Sequence, residues 1–455
     1  MRQEKGYQRI ISYLLSIFLL LGLCGCGKEG LRPDTGSSSE IQMANAAAGE
    51  ITCQLLDEAQ LDYQVPEQYP GIWVSLGGYD SKGSKEAYFQ GRTLPDTFRV
   101  INRETGECVY TGRMEEKRYN KETEEYYSYG RFTEFTDVGE YYIECDVIGR
   151  SYDFSLQEGL LQEQLSLVLQ KIKEQGQEET ADTGEVRQLL QQVIVVLMTY
   201  EIYPAVYEDG DGNQIPDILE YMTETVDKVI RLQQSAEPDE LTYELIAALA
   251  KYSYAYQKYD NTYATEIIQL AAGWWQQAEK AGAEGETILQ EDARLLAAAE
   301  LYRATGQRKY VAVVEDGNKG LTGKVEQGNF SLYDYLAAIT YISTKQRVNV
   351  ELCSRLIRVV MNRAEVIAEG IPRISYREVN TDEETIDSMM WDMTLLSVVE
   401  YVITNYEYGN LIESQYYFLM GRNARSYDYW EQDICRQPAW TACYLMMLCE
   451  MRTNE

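Results

Sequence analysis

The chain of 455 residues contains no histidine. Chemistry that needs an imidazole is therefore excluded, whether as the base of a serine or cysteine triad or as a zinc ligand in a His-x-x-x-His pair. Any hydrolytic reaction must run on carboxylates alone, one activating a water and another protonating the leaving group. With 73 Asp and Glu against 41 Lys and Arg, carboxylates are plentiful and composition does not single out a pair. One cluster has a spacing of its own. Asp209, Asp211, Asn213 and Glu220 fall at the first, third, fifth and twelfth places of an EF-hand-like count. Gln214 stands where that loop needs glycine, and Pro216 interrupts it. The expectation is an acidic turn capping the next helix, with no metal and no cofactor.

Cysteine chemistry is equally restricted. After Cys24 and Cys26 come Cys53, Cys108, Cys145, Cys353, Cys435, Cys443 and Cys449, an odd set without a Cys-x-x-Cys pair, so neither a zinc site nor a full disulfide framework is indicated. Cys108 and Cys145 lie in strand-like segments and could bridge, although buried free thiols are common core residues. Among 38 tyrosines, Tyr252, Tyr254, Tyr256 and Tyr259, or Tyr427 and Tyr429, could line a sugar-stacking cleft. Aromatic residues on amphipathic helices more often pack a core. The net charge of −32 argues against nucleic acid and anionic membrane surfaces as partners.

Residues 1–26 read as an address. Arg2, Lys5 and Arg9 precede an apolar run from Ile10 to Leu23 that is too short for a stable membrane span. The run ends in Leu23-Cys24-Gly25-Cys26, which resembles a bacterial lipobox. Cys26 fits the lipidated position, with Gly25 directly before it and Leu23 at the apolar place. Acyl chains on Cys26 would anchor the mature protein at the extracellular face of the bacterial cell membrane. Residues 27–49, with Gly36-Ser37-Ser38-Ser39 near the centre, read as a flexible linker.

The elements that must position any site fall into two periods. Over residues 50–156 short β runs recur, among them Phe98–Ile101, Cys108–Tyr110, Phe132–Phe135 and Tyr141–Cys145, separated by turn segments such as Asn102–Gly106. This predicts a β-sandwich. Over residues 157–455 the apolar period becomes helical, with segments including Val186–Glu201, Ile215–Gln234, Leu241–Gln257, Tyr263–Ala281 and Glu291–Thr305. Tyr333–Ser343, Val350–Ala368, Trp391–Asn405 and Ile412–Met420 follow. Many helices with few strands between them and no fixed repeat predict a helical toroid.

In the β region, Gly78-Tyr79, Lys85, Ala87, Phe98-Arg99-Val100, Thr105-Gly106, Thr111-Gly112, Gly139–Ile143 and Ser151–Phe154 occur in an order similar to the immunoglobulin-like domain of family 9 glycoside hydrolases. In the helical region, Asn213–Glu220 after Tyr200-Glu201, Asp260–Ala264, Glu291-Asp292-Ala293 with Ala297–Gly306, and Met420–Asn423 with Ser426-Tyr427 resemble that family's catalytic module. The resemblance, to the endoglucanase or cellulase family, covers most of residues 70–450. It implies an immunoglobulin-like β-sandwich followed by an (α/α)6 barrel, and an inverting hydrolysis by two carboxylates roughly 6.5–9.5 Å apart. A β-glucan or other polysaccharide is the partner implied.

Residue by residue, the carry-over is uneven. The family's Gly-Gly-Trp-x-Asp-Ala-Gly-Asp block, source of the base, should precede Tyr200-Glu201. Here only Asp182-Thr183-Gly184-Glu185 keeps the outline, and the Gly-Gly-Trp lead-in is missing. Asp182 and Glu185 are thus base-block remnants, though the preferred reading is that Asp182 caps the following helix and Glu185 favours its positive end. The loop bearing the family's substrate-binding histidine is reduced to Asp428-Tyr429-Trp430. Glu431, six residues before Gln437-Pro438-Ala439, matches the general acid position. The expectation is a scaffold kept and a reaction largely lost, with an active hydrolase using Glu431 or a purely structural surface protein as the alternatives.

Overall fold

The structure is a computed structural model. It describes residues 70–121, 123–179, 182–233, 238–285, 290–375, 383–403, 406–432 and 437–453, with the side chains of residues 372–375, 383–385, 406 and 431–432 excepted. The signal segment, Cys26, the linker, Cys53 and Cys435 lie outside the described residues.

The first part is a two-layered β structure. One layer has the order β1 (Ile72–Trp73), β3 (Glu86–Gly91), β6 (Glu125–Arg131) and the second half of β5 (Cys108–Asn120). The other runs from the first half of β5 through β4 (Thr97–Asn102), β7 (Gly139–Cys145) and β9 (Phe154–Gln157) to β2 (Tyr79–Asp80), with β8 (Gly149–Arg150) beside β7. Strand β5 passes between the layers: Thr97 to Ile101 pair with its first half, and Gly130 to Glu125 with its second. Strand β2 joins β9 in parallel, Tyr79 against Leu156.

Alternation sends Phe89 and Phe98 from opposite layers into one core, their ring centroids 5.1 Å apart. Gly112 and Gly130 flank Phe98 so closely that a β-carbon would lie 2.2 and 2.3 Å from its ring. Only glycine lets the phenyl group lie flat between the strands. The Tyr141 hydroxyl donates to the Asp137 carbonyl at 3.0 Å, pinning the entry to β7 as the tyrosine corner of immunoglobulin-like domains does.

One sequence expectation changes in this part, and one open alternative is decided. Phe132–Phe135 is a turn and not a strand, closed by Phe135 N–H donating to the Phe132 carbonyl at 2.9 Å. The i, i+3 spacing brings both rings to the core from a turn, which alternation alone does not distinguish from a strand. Cys108 and Cys145 are free thiols, one exposed and the other buried.

From Leu160 onward the chain is helical. The helices are α1 (Leu160–Gln177), α2 (Thr183–Ile202), α3 (Asp217–Gln233), α4 (Thr242–Tyr256), α5 (Asn261–Glu284), α6 (Glu291–Thr305), α7 (Arg308–Val314) and α8 (Leu321–Gln327). After them come α9 (Leu332–Ser343), α10 (Val350–Ser375), α11 (Glu383–Ile403), α12 (Tyr406–Leu419), α13 (Tyr429–Gln432) and α14 (Pro438–Thr453). Helices α2, α4, α6, α9, α11 and α14 form an inner ring. In it α4 lies between α2 and α6, α6 beside α9, and α14 against both α2 and α11.

Inner and outer helices differ in sequence for a physical reason. Outer α3 buries one stripe, Ile218, Leu219, Met222, Thr225, Val226, Val229 and Ile230, and leaves the other face half-buried or exposed. Inner α4 buries every residue from Thr242 to Ser253, and inner α14 every residue from Pro438 to Met451. Small residues such as Ala297, Ala298 and Ala299 of α6 let the inner helices approach. Helix α6 stops at Gly306, in the left-handed region at φ 67°, whose N–H donates to the Tyr302 carbonyl at 2.8 Å. Because an outer segment returns the chain between successive inner helices, the inner N-termini share one rim. This is the (α/α)6 arrangement.

The opposite rim holds a buried charge cluster. Lys251 of α4 lies 3.2 Å from both Glu201 of α2 and Glu300 of α6. Arg303 reaches both oxygens of Glu201 at 2.9 Å and Glu300 at 2.6 Å. Thr340 of α9 donates to Glu300 at 2.8 Å. Burial works against the Glu201 charge, yet Lys251 and Arg303 together hold its carboxyl below the usual range. The cluster ties four successive inner helices at one level.

Candidate active-site rim

Asp182 and Glu185, two of the carboxylates picked out in the sequence, lie at the N-terminal rim of the inner ring. Asp182 is the N-cap of α2, its carboxylate accepting the Gly184 N–H at 2.9 Å, and it is exposed. Glu185 is exposed in the first turn of the same helix, where the helix dipole favours a negative charge. The geometry is that of a helix start. Asp182→Ala should destabilise the protein by about 1 kcal/mol, read as a lower urea midpoint at unchanged slope.

Glu431 lies in the short α13, and its side chain and residues 433–436 lie outside the described residues. The backbone nevertheless brings its neighbourhood to α2. Gln188, one turn beyond Glu185, donates to Gln437 at 3.4 Å. Below this contact, Gln192 donates to Gln175 and Gln175 to Thr441, at 3.2 and 3.3 Å. Gln437, six residues after Glu431, therefore meets α2 one turn beyond Glu185 at this rim, although the two are far apart in sequence.

The same rim carries residues that the sequence did not single out. The Glu244 carboxylate, in the first turn of α4, has no exposed surface. It accepts from Arg187 of α2 at 3.2 Å and from the Tyr333 hydroxyl of α9. Gln191 of α2 donates to the same hydroxyl at 3.0 Å, and Arg187 also lies 3.2 Å from Glu240. Burial pushes the Glu244 carboxyl up to about 7, against the pull of Tyr333 and Arg187. Helices α2 and α9 are three steps apart around the ring, so this network crosses the barrel beneath its mouth. On the adjoining side the Trp440 indole donates to Asp387 of α11, whose carboxyl burial also raises. The one available signal was a lone charge inside an apolar run, Glu244 within Leu241–Leu249.

Chemically, this rim offers enclosed carboxyls with internal partners, Glu244 and Asp387, together with exposed carboxylates at a helix start. Glu244 has the pKa of a proton carrier, but its carboxylate is sealed from solvent. The other sequence candidates resolve into structure. Asp209 accepts the N–H groups of Gly212, Asn213 and Gln214, and Asn213 reaches Glu220 through its amide at 2.8 Å. These carboxylates organise the turn before α3. Tyr252 and Tyr256 are buried and stacked with centroids 5.1 Å apart, and Tyr427 packs against buried Tyr429 at 4.8 Å. Among the described residues no group of three or more Asp, Glu or Cys is arranged to hold a metal ion.

Comparison with known proteins agrees with this architecture. Residues 67–150 match the cellulase N-terminal ig-like domain, and residues 196–431 match glycosyl hydrolase family 9. The second match begins beyond Asp182–Glu185. No curated protein sequence matches the chain. Among solved structures, a metagenome-derived glycoside hydrolase family 9 endoglucanase superposes with a TM-score of 0.63 at 16% identity, over 79% of this chain and 84% of that one. A family 9 protein of Bacteroides ovatus gives 0.63 at 12% identity, over 84% and 99%. A single-mutant thermostable endoglucanase from Alicyclobacillus acidocaldarius gives 0.62 at 13% identity, over 79% and 84%. At these identities the likeness is one of fold. With the second match spanning just over half of its residues, the chain belongs to glycosyl hydrolase family 9 and carries that family's N-terminal immunoglobulin-like domain.

Proposed function

We propose that the protein is a lipid-anchored surface protein that uses a cellulase-type scaffold to hold a β-glucan or related glycan with little or no turnover. The observation that carries this reading is Asp182. The aspartate nearest the expected base position spends its carboxylate on the Gly184 N–H of an exposed helix start. An inverting mechanism needs a second carboxylate facing the acid across a water, and an acid without its base supplies little rate. A family fold alone does not carry the activity, since function belongs to the site. The anchor rests on Arg2, Lys5 and Arg9, the Ile10–Leu23 run and Cys26. Among the described residues no helix is long and apolar enough to cross a membrane.

The test is hydrolysis of a soluble β-1,4-glucan by wild type and Glu431→Gln, alongside binding to the same glucan. Binding without measurable turnover is the expected result. Robust turnover that falls by about a hundredfold or more in Glu431→Gln would establish a working acid and overturn the reading. For the anchor, Cys26→Ser should move the protein from the membrane fraction to the soluble one.

A further inference from the structure

Residues 420–428 link α12 to α13, the short helix that carries Glu431. The loop leaves and returns at one point, where Met420 and Asp428 form an isolated antiparallel bridge. Between them Asn423, 5% exposed, braces the excursion. Its amide donates to the carbonyls of Phe418 and Tyr427 at 2.9 and 2.8 Å, and its side-chain oxygen accepts the Tyr427 N–H at 3.1 Å. Asp428 then starts α13, its carboxylate accepting the Trp430 N–H at 2.9 Å.

The sandwich grips this loop at its bridge. In the turn between β1 and β2, the N–H groups of Leu76 and Gly77 both donate to the Met420 carbonyl, at 2.8 and 3.4 Å. Gly77 has no room for a side chain, because a β-carbon there would lie 2.0 Å from Met420 Cε. On the loop side Gly421, at φ 97°, packs so closely that a β-carbon would lie 2.7 Å from Leu76 Cγ. A second grip lies on the outer face of β3. Arg422 stands 4.5 Å over the Tyr88 ring and 3.7 Å from Glu86, while donating to the Ser414 carbonyl and hydroxyl at 2.7 Å. Ala424 packs on the buried trio Trp73, Tyr88 and Tyr127.

A loop closed by one bridge and one braced turn is a small cooperative unit, so its place depends on what it rests against. From Met420 the constraint runs to Trp430 by two routes. Along the backbone, the Met420–Asp428 bridge places the residue that caps α13. Through side chains, the Tyr444 hydroxyl of α14 donates to the Met420 sulfur at 2.9 Å, and the Tyr444 ring stacks on Trp430 with centroids 4.5 Å apart. Displacing Met420 disturbs both supports at once. The candidate acid follows Trp430 directly.

We propose that Leu76 and Gly77 are positioning residues for the barrel rim: through Met420 and Asp428 they set where α13 presents Glu431, and so how the rim holds its glycan. The glycan part rests on the surface-binding reading above, whereas the positional part is measured without a ligand. Gly77→Ala and Leu76→Ala are compared in the full chain with Ile143→Val, a change in the β4–β7 ladder that controls for general loss of sandwich stability. Hydrogen exchange at the amides of residues 421–430 should be about tenfold faster in the two turn variants and unchanged in Ile143→Val, with α6 unchanged in all three. The near-ultraviolet circular dichroism of Trp430, isolated by subtracting the Trp430→Phe form of each protein, should diminish in the turn variants alone. Binding of a soluble β-1,4-glucan should weaken about tenfold in the same two proteins and hold in Ile143→Val. Exchange and a Trp430 band unchanged in both turn variants, or altered equally in Ile143→Val, overturn the proposal. Faster exchange at unchanged glucan affinity overturns the role at the rim. A wild type that binds no glucan counts against the glycan reading alone, because exchange and the Trp430 band still decide the positional one.

Discussion

Replacing Glu300 with alanine should cost about 3–5 kcal/mol of stability. Glu300 is 1% exposed and takes Lys251, Arg303 and Thr340 at once. Removing it leaves two buried cations to share Glu201. Lys251 and Arg303 are each only 4% exposed at the side chain, so water offers them little relief. The readout is the urea midpoint at constant slope. A second variant tests the cause. Lys251→Met combined with Glu300→Leu removes a cation with the anion, and should recover a large part of the loss because a buried ion pair is often replaceable by apolar groups of similar size. Equal losses in the single and double variants would show that packing, and not uncompensated charge, sets the cost.

Stability should also fall by about 3 kcal/mol from about pH 4.5 to above about pH 7 through Glu244 alone. A carboxyl raised in the folded state binds its proton more tightly there than in the unfolded chain. Its contribution is therefore fullest below the unfolded pKa, near 4.5, and is lost as pH rises through the folded value of about 7. Because the carboxylate has no exposed surface, solvent screening does little to reduce this effect. Glu244→Gln lacks the titrating proton and keeps an acceptor for Tyr333 and Arg187. Relative to wild type it should gain about 3 kcal/mol between about pH 5 and about pH 8, measured by urea unfolding at each pH. Parallel pH profiles of the two proteins would sink the assignment of the shift to Glu244.

Periodicity carried most of the architecture. The stripe of α3 and the stop at Gly306 are local features, and both emerged near their expected positions. Helix α11 begins at Glu383, well before the expected Trp391, and α14 offered no stripe at all. Inner α14 is buried on every face from Pro438 to Met451, and there the period that reveals a helix disappears. The rim was legible only in part. Asp182 and Glu185 could be named because they neighbour each other in sequence, and their role at a helix start follows from local rules. Arg187, Glu244 and Tyr333 become a network only through the ring, since Tyr333 and Glu244 are 89 positions apart. The seam between sandwich and barrel was invisible for the same reason. Glu86 and Arg422 are 336 positions apart and belong to different domains.

The place of α14 in the ring has a consequence for the order of events during biosynthesis. The sandwich is complete once Phe154–Gln157 has emerged to pair with β7 and β2. The barrel has no such early completion. Helix α14 fills the gap between α2 and α11, and Gln175 meets Thr441 only after 266 further positions have been made. Until then the apolar flanks of α2 and α11 stay uncovered, and the chain is a broken ring open to association with other chains. The sandwich can form while synthesis continues, whereas ring closure must follow delivery of Pro438–Thr453. A chain cut short before Pro438 would keep a folded first domain attached to a helical domain that cannot shut.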